Sequence, residues 1–197
     1  MSKTAENLSD AEIIERFKDG ASHLFDVLVE RYSGKAYQIA YGILGSKEDA
    51  EEVAQDGFVR IYRALHKFRG DSEFTTWMYR IIVNLARNKY RWNKSRGARQ
   101  NISMQATPTG DDSAPNLEMK LPDEQPPPDE KAELAEFEEA VYREMEQLPD
   151  LYKEALILRN VEEMSYEEIA RVLDCKLGTI KSRIARAREE LRKRLGL

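Results

Sequence analysis

The sequence predicts an all-α protein: two small helical domains joined by a flexible, Pro-rich, acidic linker. Three observations carry that prediction. Apolar residues recur at helical spacing through positions 1–95 and again after 135, with no alternating strand pattern or hairpin signal between them. Six of the seven prolines (Pro108, Pro115, Pro122, Pro126, Pro127 and Pro128) fall in one stretch between Ser95 and Ala135. Residues 165–188 read as a capped short helix, a turn and a basic second helix. The expected division is therefore 1–95, 96–135 and 136–197.

In the first domain, Ser9 with Glu12 three residues later forms a capping box, opening a short helix that carries Ile13, Ile14 and Phe17 and stops at Gly20. A second helix follows, with Leu24, Phe25, Leu28, Val29, Tyr32, Ala36, Ile39, Ala40 and Ile43 on one face and its end at Gly45. Ser46 can cap a third helix running to about Lys67, with Val53, Ala54, Ile61 and Leu65 inward. Its opening turns are acidic (Glu48, Asp49, Glu51, Glu52, Asp56), which suits the positive end of the helix dipole. The loop from Phe68 to Phe74 breaks the pattern. A fourth helix, from about Thr75 to Asn93, buries Trp77, Met78, Ile81, Ile82, Leu85 and Ala86.

Between the domains, Pro126-Pro127-Pro128 should be locally extended, and the surrounding Gly, Ser, Asp and Glu bury too little apolar area to fold. The C-terminal domain then reads as a helix to Leu148, a break at Pro149, a helix through Leu151 to about Val161, and a helix-turn-helix. Ser165 with Glu168 is a second capping box, and Ile169, Ala170, Val172 and Leu173 form a buried face. The pattern lapses from Asp174 to Gly178, where Gly178 is expected to let the backbone turn, and the last helix starts near Thr179. Ile180, Ile184, Ala187 and Leu191 point inward along it. Lys181, Ser182, Arg183, Arg186 and Arg188 remain outside, a surface suited to phosphates and base edges in a major groove. An ordinary amphipathic bundle helix is the plain alternative, but the cap, turn and basic helix in succession favour DNA.

Whole-chain values bound the function. The net charge of −5 appears unfavourable to nucleic acid, yet charge is segregated. From Arg80 to Arg99 there are seven Lys or Arg and no acid, whereas Asp123 to Glu146 holds ten acids against Lys131 and Arg143. One cysteine, Cys175, and two histidines, His23 and His66, exclude a disulfide and a Cys/His metal site built from this chain alone, and no cofactor or metal is expected. Cys175 itself reads best as a small packed hydrophobe. With no signal peptide and no apolar run of membrane length, a cytoplasmic protein without direct membrane insertion is expected. An enzyme using the acids from Glu48 to Asp56 as metal ligands is a poor fit, because histidines and inward placement are missing.

A second nucleic-acid surface lies on the fourth helix, where Arg80, Asn84, Arg87, Asn88 and Arg91 fall in one polar stripe. Tyr79, Tyr90 and Trp92 interleave with the cations and could stack on unpaired bases, while Trp77 and Tyr79 equally suit the core. Two basic helices on two domains suggest two separate DNA elements. A coil of about 41 residues spans roughly 35 Å on average and about 140 Å when fully extended. DNA sites two to three turns apart lie roughly 70–100 Å from each other, so something must hold the domains apart. A free-standing regulator, with the C-terminal domain on duplex DNA and the N-terminal domain as a sensor, is the competing reading.

The strings EEVAQDGFVRIYRAL (Glu51 to Leu65), FRGDS (Phe68 to Ser72), TWMYRIIVN (Thr76 to Asn84) and the segment from Leu148-Pro149 to Arg188 resemble the extracytoplasmic-function group of bacterial sigma factors. In that group a helical region 2 is linked to a helix-turn-helix region 4. The resemblance implies a non-catalytic subunit that binds RNA polymerase core, recognises promoter DNA and acts in a stress or envelope response under an anti-sigma factor. It implies that Asp49, Glu52, Gln55, Asp56 and Arg60 grip polymerase; the residues alone would be read as a solvated helix start. It further implies that Phe68, Asp71 and Ser72, with Arg80, Asn84, Arg87, Asn88 and Arg91, capture and melt the minus-ten element, an extruded base being read on its hydrogen-bonding edge. Lys181, Ser182, Arg183 and Arg186 would read the minus-thirty-five element, with Tyr166 and Glu167 near its backbone. Ala185 stands where some relatives carry a larger side chain. Polymerase would then be the spacer between the domains.

Overall fold

A computed structural model describes residues 8–100, 140–141, 143–161 and 163–197. The Pro-rich stretch lies outside these residues. Every regular element among the described residues is helical. Helix α1 (Asp10–Lys18) starts at the Ser9 box: the Ser9 hydroxyl accepts the Glu12 N–H at 3.3 Å, and the Glu12 carboxylate accepts the Ser9 N–H at 2.8 Å. The Ser9 hydroxyl and then the Ser9 N–H, both donating to it, hold the Glu12 carboxyl below its ordinary pKa. Helix α2 (Phe25–Leu44) closes at Gly45, whose N–H reaches the Tyr41 carbonyl at 2.8 Å. Helix α3 (Lys47–Ala64) is capped by Ser46 on the Asp49 N–H, as its sequence predicts, and tightens into a 3-10 turn over Leu65–Lys67.

Helix α4 (Phe74–Gln100) runs past the expected end at Asn93 and crosses the anticipated boundary at 95. Nothing between Asn93 and Gln100 is a proline, so polarity alone could not stop it. Helices α2, α3 and α4 pack around a core of Leu28, Ile39, Ile61, Met78 and Ile82. At one point α3 and α4 come very close: a Cβ on Gly57 would lie 2.2 Å from Ile82 Cδ1, so only hydrogen fits there. Tyr79 is core, at 2 % exposure, whereas Trp92 is exposed, with Arg96 over its ring at 4.1 Å and Lys89 at 5.4 Å.

The C-terminal unit contains helical residues 140–141 and 143–146 (α5), α6 (Asp150–Val161), α7 (Tyr166–Val172) and α8 (Leu177–Arg194). Pro149 marks the start of α6, accepting from the N–H groups of Tyr152 and Lys153. The Ser165 box opens α7 with the bonds its spacing predicts, 3.2 Å to the Glu168 N–H and 2.7 Å back to the Ser165 N–H. The turn differs from expectation. Gly178 already belongs to α8, and the left-handed residue is Asp174, at φ 52°. Aspartate tolerates that conformation because its short side chain can bond locally.

The two units are not separate bodies in this structure. Ile157, Leu158, Ile169 and Val172 join the same apolar cluster as Ile39, Met78 and Ile82. Where α2 meets α6, a Cβ on Gly42 would fall 2.9 Å from Ile157 Cδ1, so the missing side chain forms a notch that Ile157 fills. Leu148, Leu156 and Ala187 make a smaller cluster on the far side of α6.

Candidate nucleic-acid and polymerase surfaces

Glu52, Gln55 and Arg60 are exposed on α3, and Asp49 and Asp56 are half-buried. The acids are less free than their spacing suggests. Lys89 of α4 reaches Glu52 at 2.5 Å and Asp49 at 3.2 Å, and the Asn93 amide donates to Asp49 at 2.6 Å. The Glu52 hydrogen bond holds the Lys89 ammonium above its ordinary pKa. Asp56 pairs with Arg60 one turn on, at 3.0 Å. Asp49 thus clamps α3 to α4, while Glu52, Gln55 and Arg60 keep an accessible rim.

The loop before α4 is built on aromatic stacking. Phe68 is half-buried with its ring centroid 5.1 Å from Trp77 and 6.2 Å from Phe74, and its carbonyl accepts from Lys18 at 2.7 Å. Phe68 therefore forms a wall of the loop. Asp71 is exposed and Ser72 half-buried, its hydroxyl 3.3 Å from the Glu73 carbonyl.

The structure brings Arg80, Asn84, Arg87, Asn88 and Arg91 onto one face of α4, as predicted, and Arg91 donates to the Asn88 amide oxygen at 2.5 Å. That face lines a cleft whose opposite wall is α6 and the α7–α8 turn. Across it, Arg87 makes a two-pronged pair with Glu154, Nε to Oε1 at 2.6 Å and Nη2 to Oε2 at 2.5 Å. Arg80 meets Asp174 at 3.0 Å. Lys153, next to Glu154, donates to the Ile43 carbonyl at 3.1 Å and lies over the Tyr90 ring at 5.4 Å. Burial lowers the Lys153 pKa, and the Glu154 hydrogen bond raises that of Arg87.

On α8, Lys181, Ser182 and Arg186 are exposed, and Arg186 is held by the Tyr152 hydroxyl at 3.5 Å. Arg183 differs from these neighbours: it turns inward to line the cleft, 3.8 Å from Cys175 Sγ. Tyr166 is half-buried beneath Arg159, and Glu167 is exposed. Sequence reasoning missed Gly42, Lys153, Glu154 and Asp174. Adjacent Lys153 and Glu154 opening the run Ala155-Leu156-Ile157-Leu158 were the available signal, because charges beside a buried stripe need partners.

Among the described residues no group of three His, Cys, Asp or Glu could hold a metal, and no helix is long and apolar enough to cross a membrane. Family models match twice: Sigma-70 region 2 over residues 28–96 and Sigma-70 region 4 over residues 138–191. The RNA polymerase sigma-H factor of Pseudomonas aeruginosa is 39% identical, with 94% of this chain and 93% of the relative covered. The ECF RNA polymerase sigma-E factor of Haemophilus influenzae is 35% identical, with 97% of each covered. Among solved structures, CnrH in complex with the cytosolic domain of CnrY gives a TM-score of 0.66 at 24% identity, covering 95% of this chain and 97% of that one. RpoE of Bartonella quintana with the anti-sigma factor NepR gives 0.65 at 22% identity, covering 88% and 97%. With both regions matched in order and relatives similar along nearly their whole length, the chain belongs to the extracytoplasmic-function sigma factors of RNA polymerase.

Proposed function

We propose that this sigma factor divides its work among three surfaces. As a family member it is a non-enzymatic initiation factor that binds RNA polymerase core and directs promoter-specific transcription. The division of residues is our reading. The rim of α3, with Glu52, Gln55 and Arg60 exposed and Asp49 and Asp56 half-buried behind them, grips core polymerase. The loop of Phe68, Asp71 and Ser72 captures an extruded minus-ten base beside Asn84, and Arg80, Arg87, Asn88 and Arg91 hold the opened strand. Lys181, Ser182 and Arg186 read the minus-thirty-five duplex from the exposed side of α8, with Tyr166 and Glu167 at its backbone, and Arg183 joins them only by turning out of the cleft. Residues 1–95 and 136–197 are the working domains, 96–135 is the linker, and the protein acts in the cytoplasm.

The observation that carries this reading is the pair of basic helical faces, on α4 and α8, each inside its own matched sigma region. Control by an anti-sigma partner in a stress or envelope response is proposed from the relatives: RpoE of Bartonella quintana is solved with its anti-sigma factor. Reconstituted transcription tests the function. Core polymerase with the purified chain should start at defined sites in a promoter-fragment library, and starts no more specific than those of core alone would refute the reading.

A further inference from the structure

Helix α1 precedes the stretch matched to region 2, which begins at residue 28, and none of the three proposed surfaces uses it. It nevertheless reaches both ends of the loop that runs from Phe68 to Phe74. At its C-terminal end, Phe17 is 1 % exposed and packs its ring 4.8 Å from His66, in the 3-10 turn that leads into the loop. The next residue, Lys18, donates from its ammonium to the Phe68 carbonyl at 2.7 Å, across 50 residues of sequence. At its N-terminal end, the two carboxylate oxygens of Asp10 accept from different residues of α2, Oδ1 from Arg31 at 2.8 Å and Oδ2 from the Tyr32 hydroxyl at 2.5 Å. The Tyr32 ring in turn lies 5.8 Å from Phe74, where the loop enters α4.

Between those anchors Arg69, Gly70, Asp71 and Glu73 are exposed, so packing does not fix the middle of the loop and its course follows from where its ends are held. Phe68 leaves the 3-10 turn in extended conformation, at φ −65° and ψ 123°, and its carbonyl is one of the acceptors a helix end leaves open. A lysine ammonium suits it in charge and reach. The bond lies on the surface, where one hydrogen bond contributes little to overall stability. Its main effect is geometric: it sets the direction in which the chain leaves Phe68, whose ring packs 5.1 Å from Trp77.

We propose that α1 is a brace for this loop, with Lys18 and Asp10 as positioning residues that hold its two ends at the separation an extruded base requires. The proposal rests on the reading of the loop and Asn84 as a base pocket. Each residue acts through a neighbour, Lys18 through the Phe68 backbone and Asp10 through Tyr32.

The test uses the full-length chain. In a Trp92→Phe background, Trp77 is the sole tryptophan and reports the Phe68 contact by acrylamide quenching. Lys18→Met should raise that quenching about twofold, and Lys18→Arg, which keeps a donor, should restore most of the wild-type value. With core polymerase and a promoter recovered from the fragment library, Lys18→Met should slow opening about fivefold, the size of one hydrogen bond, and leave closed-complex affinity unchanged. Tyr32→Phe keeps the ring on Phe74 and loses the hydroxyl, and should slow opening about threefold. The brace is refuted if Lys18→Met lowers the melting temperature while quenching and opening stay as in wild type, or if Lys18→Arg restores neither. Asn84→Ala separates this proposal from the reading beneath it. Slower opening by Asn84→Ala beside unchanged opening by Lys18→Met sinks the brace alone, whereas normal opening by Asn84→Ala removes the pocket and the purpose of the brace with it.

Discussion

Helix α8 presents Lys181, Ser182 and Arg186 to solvent, and its own acids pair one turn on, Glu189 to Lys193 at 2.9 Å and Glu190 to Arg194 at 3.1 Å. The Arg87 guanidinium of α4 meets a carboxylate 67 residues away in the chain. Both helices are basic and both expose most of that face, but α4 has Arg87 half-buried against Glu154 while Arg80, Asn84, Asn88 and Arg91 stay exposed. Local charge therefore marks a basic surface, whereas acids from distant sequence decide which of its cations are engaged.

The sharpest way to test that asymmetry is Asn84→Ala. Removing the amide proposed to read an extruded base should cost about 2–3 kcal/mol, roughly a hundredfold loss in promoter opening, with upstream duplex binding intact. Permanganate footprints showing normal melting would remove Asn84 from the pocket. Arg186→Ala should do the converse, weakening discrimination among mutated upstream sites by about 1–2 kcal/mol and leaving melting of a pre-bound promoter unchanged. An unaltered ranking of upstream variants would reassign the α8 face.

Lys153 gives the contact between α4 and α6 a pH signature. Its pKa is lowered by burial, against the opposing pull of Asp150, Glu146 and Glu154, so the unfolded chain binds more protons than the folded one between that lowered value and the ordinary lysine value near 10.4. Folding should gain stability as pH rises through that window and lose it as pH falls back. Denaturant unfolding of wild type should show this component, and Lys153→Met should lack it. Equal pH profiles for the two would place Lys153 in water in the folded protein. Smallest is Ser165→Ala, which deletes the cap of α7 and should cost about 1 kcal/mol in thermal unfolding, since the hydroxyl and Glu168 satisfy two helix-start donors together. A melting temperature equal to wild type would show α7 to be held by packing alone.

Much of the fold was legible because its signals are local. Ser9, Ser46 and Ser165 cap the helices their spacing predicts, and Ile180, Ile184 and Ala187 are buried as their period requires. The grouping of Arg80, Asn84, Arg87, Asn88 and Arg91 on one face was legible for the same reason. What escaped depends on residues far apart in sequence. Asp174, with the α4 cation Arg80 as its partner, takes the turn that Gly178 was expected to make. Arg183 faces inward because a cleft exists beside it, and that cleft needs both units. The end of α4 was misjudged for a simpler reason: polarity marks a surface and does not break a helix.

The missing side chain at Gly57 has a mechanical meaning. With Ile82 filling the space of its absent Cβ, α3 and α4 meet without slack, and Lys89 ties the same pair of helices again through Asp49 and Glu52. On the proposed division of surfaces, a pull on the rim of α3 would move the basic face of α4 with it, as one stiff lever. Gripping the enzyme and prising the DNA apart would then be two ends of a single movement.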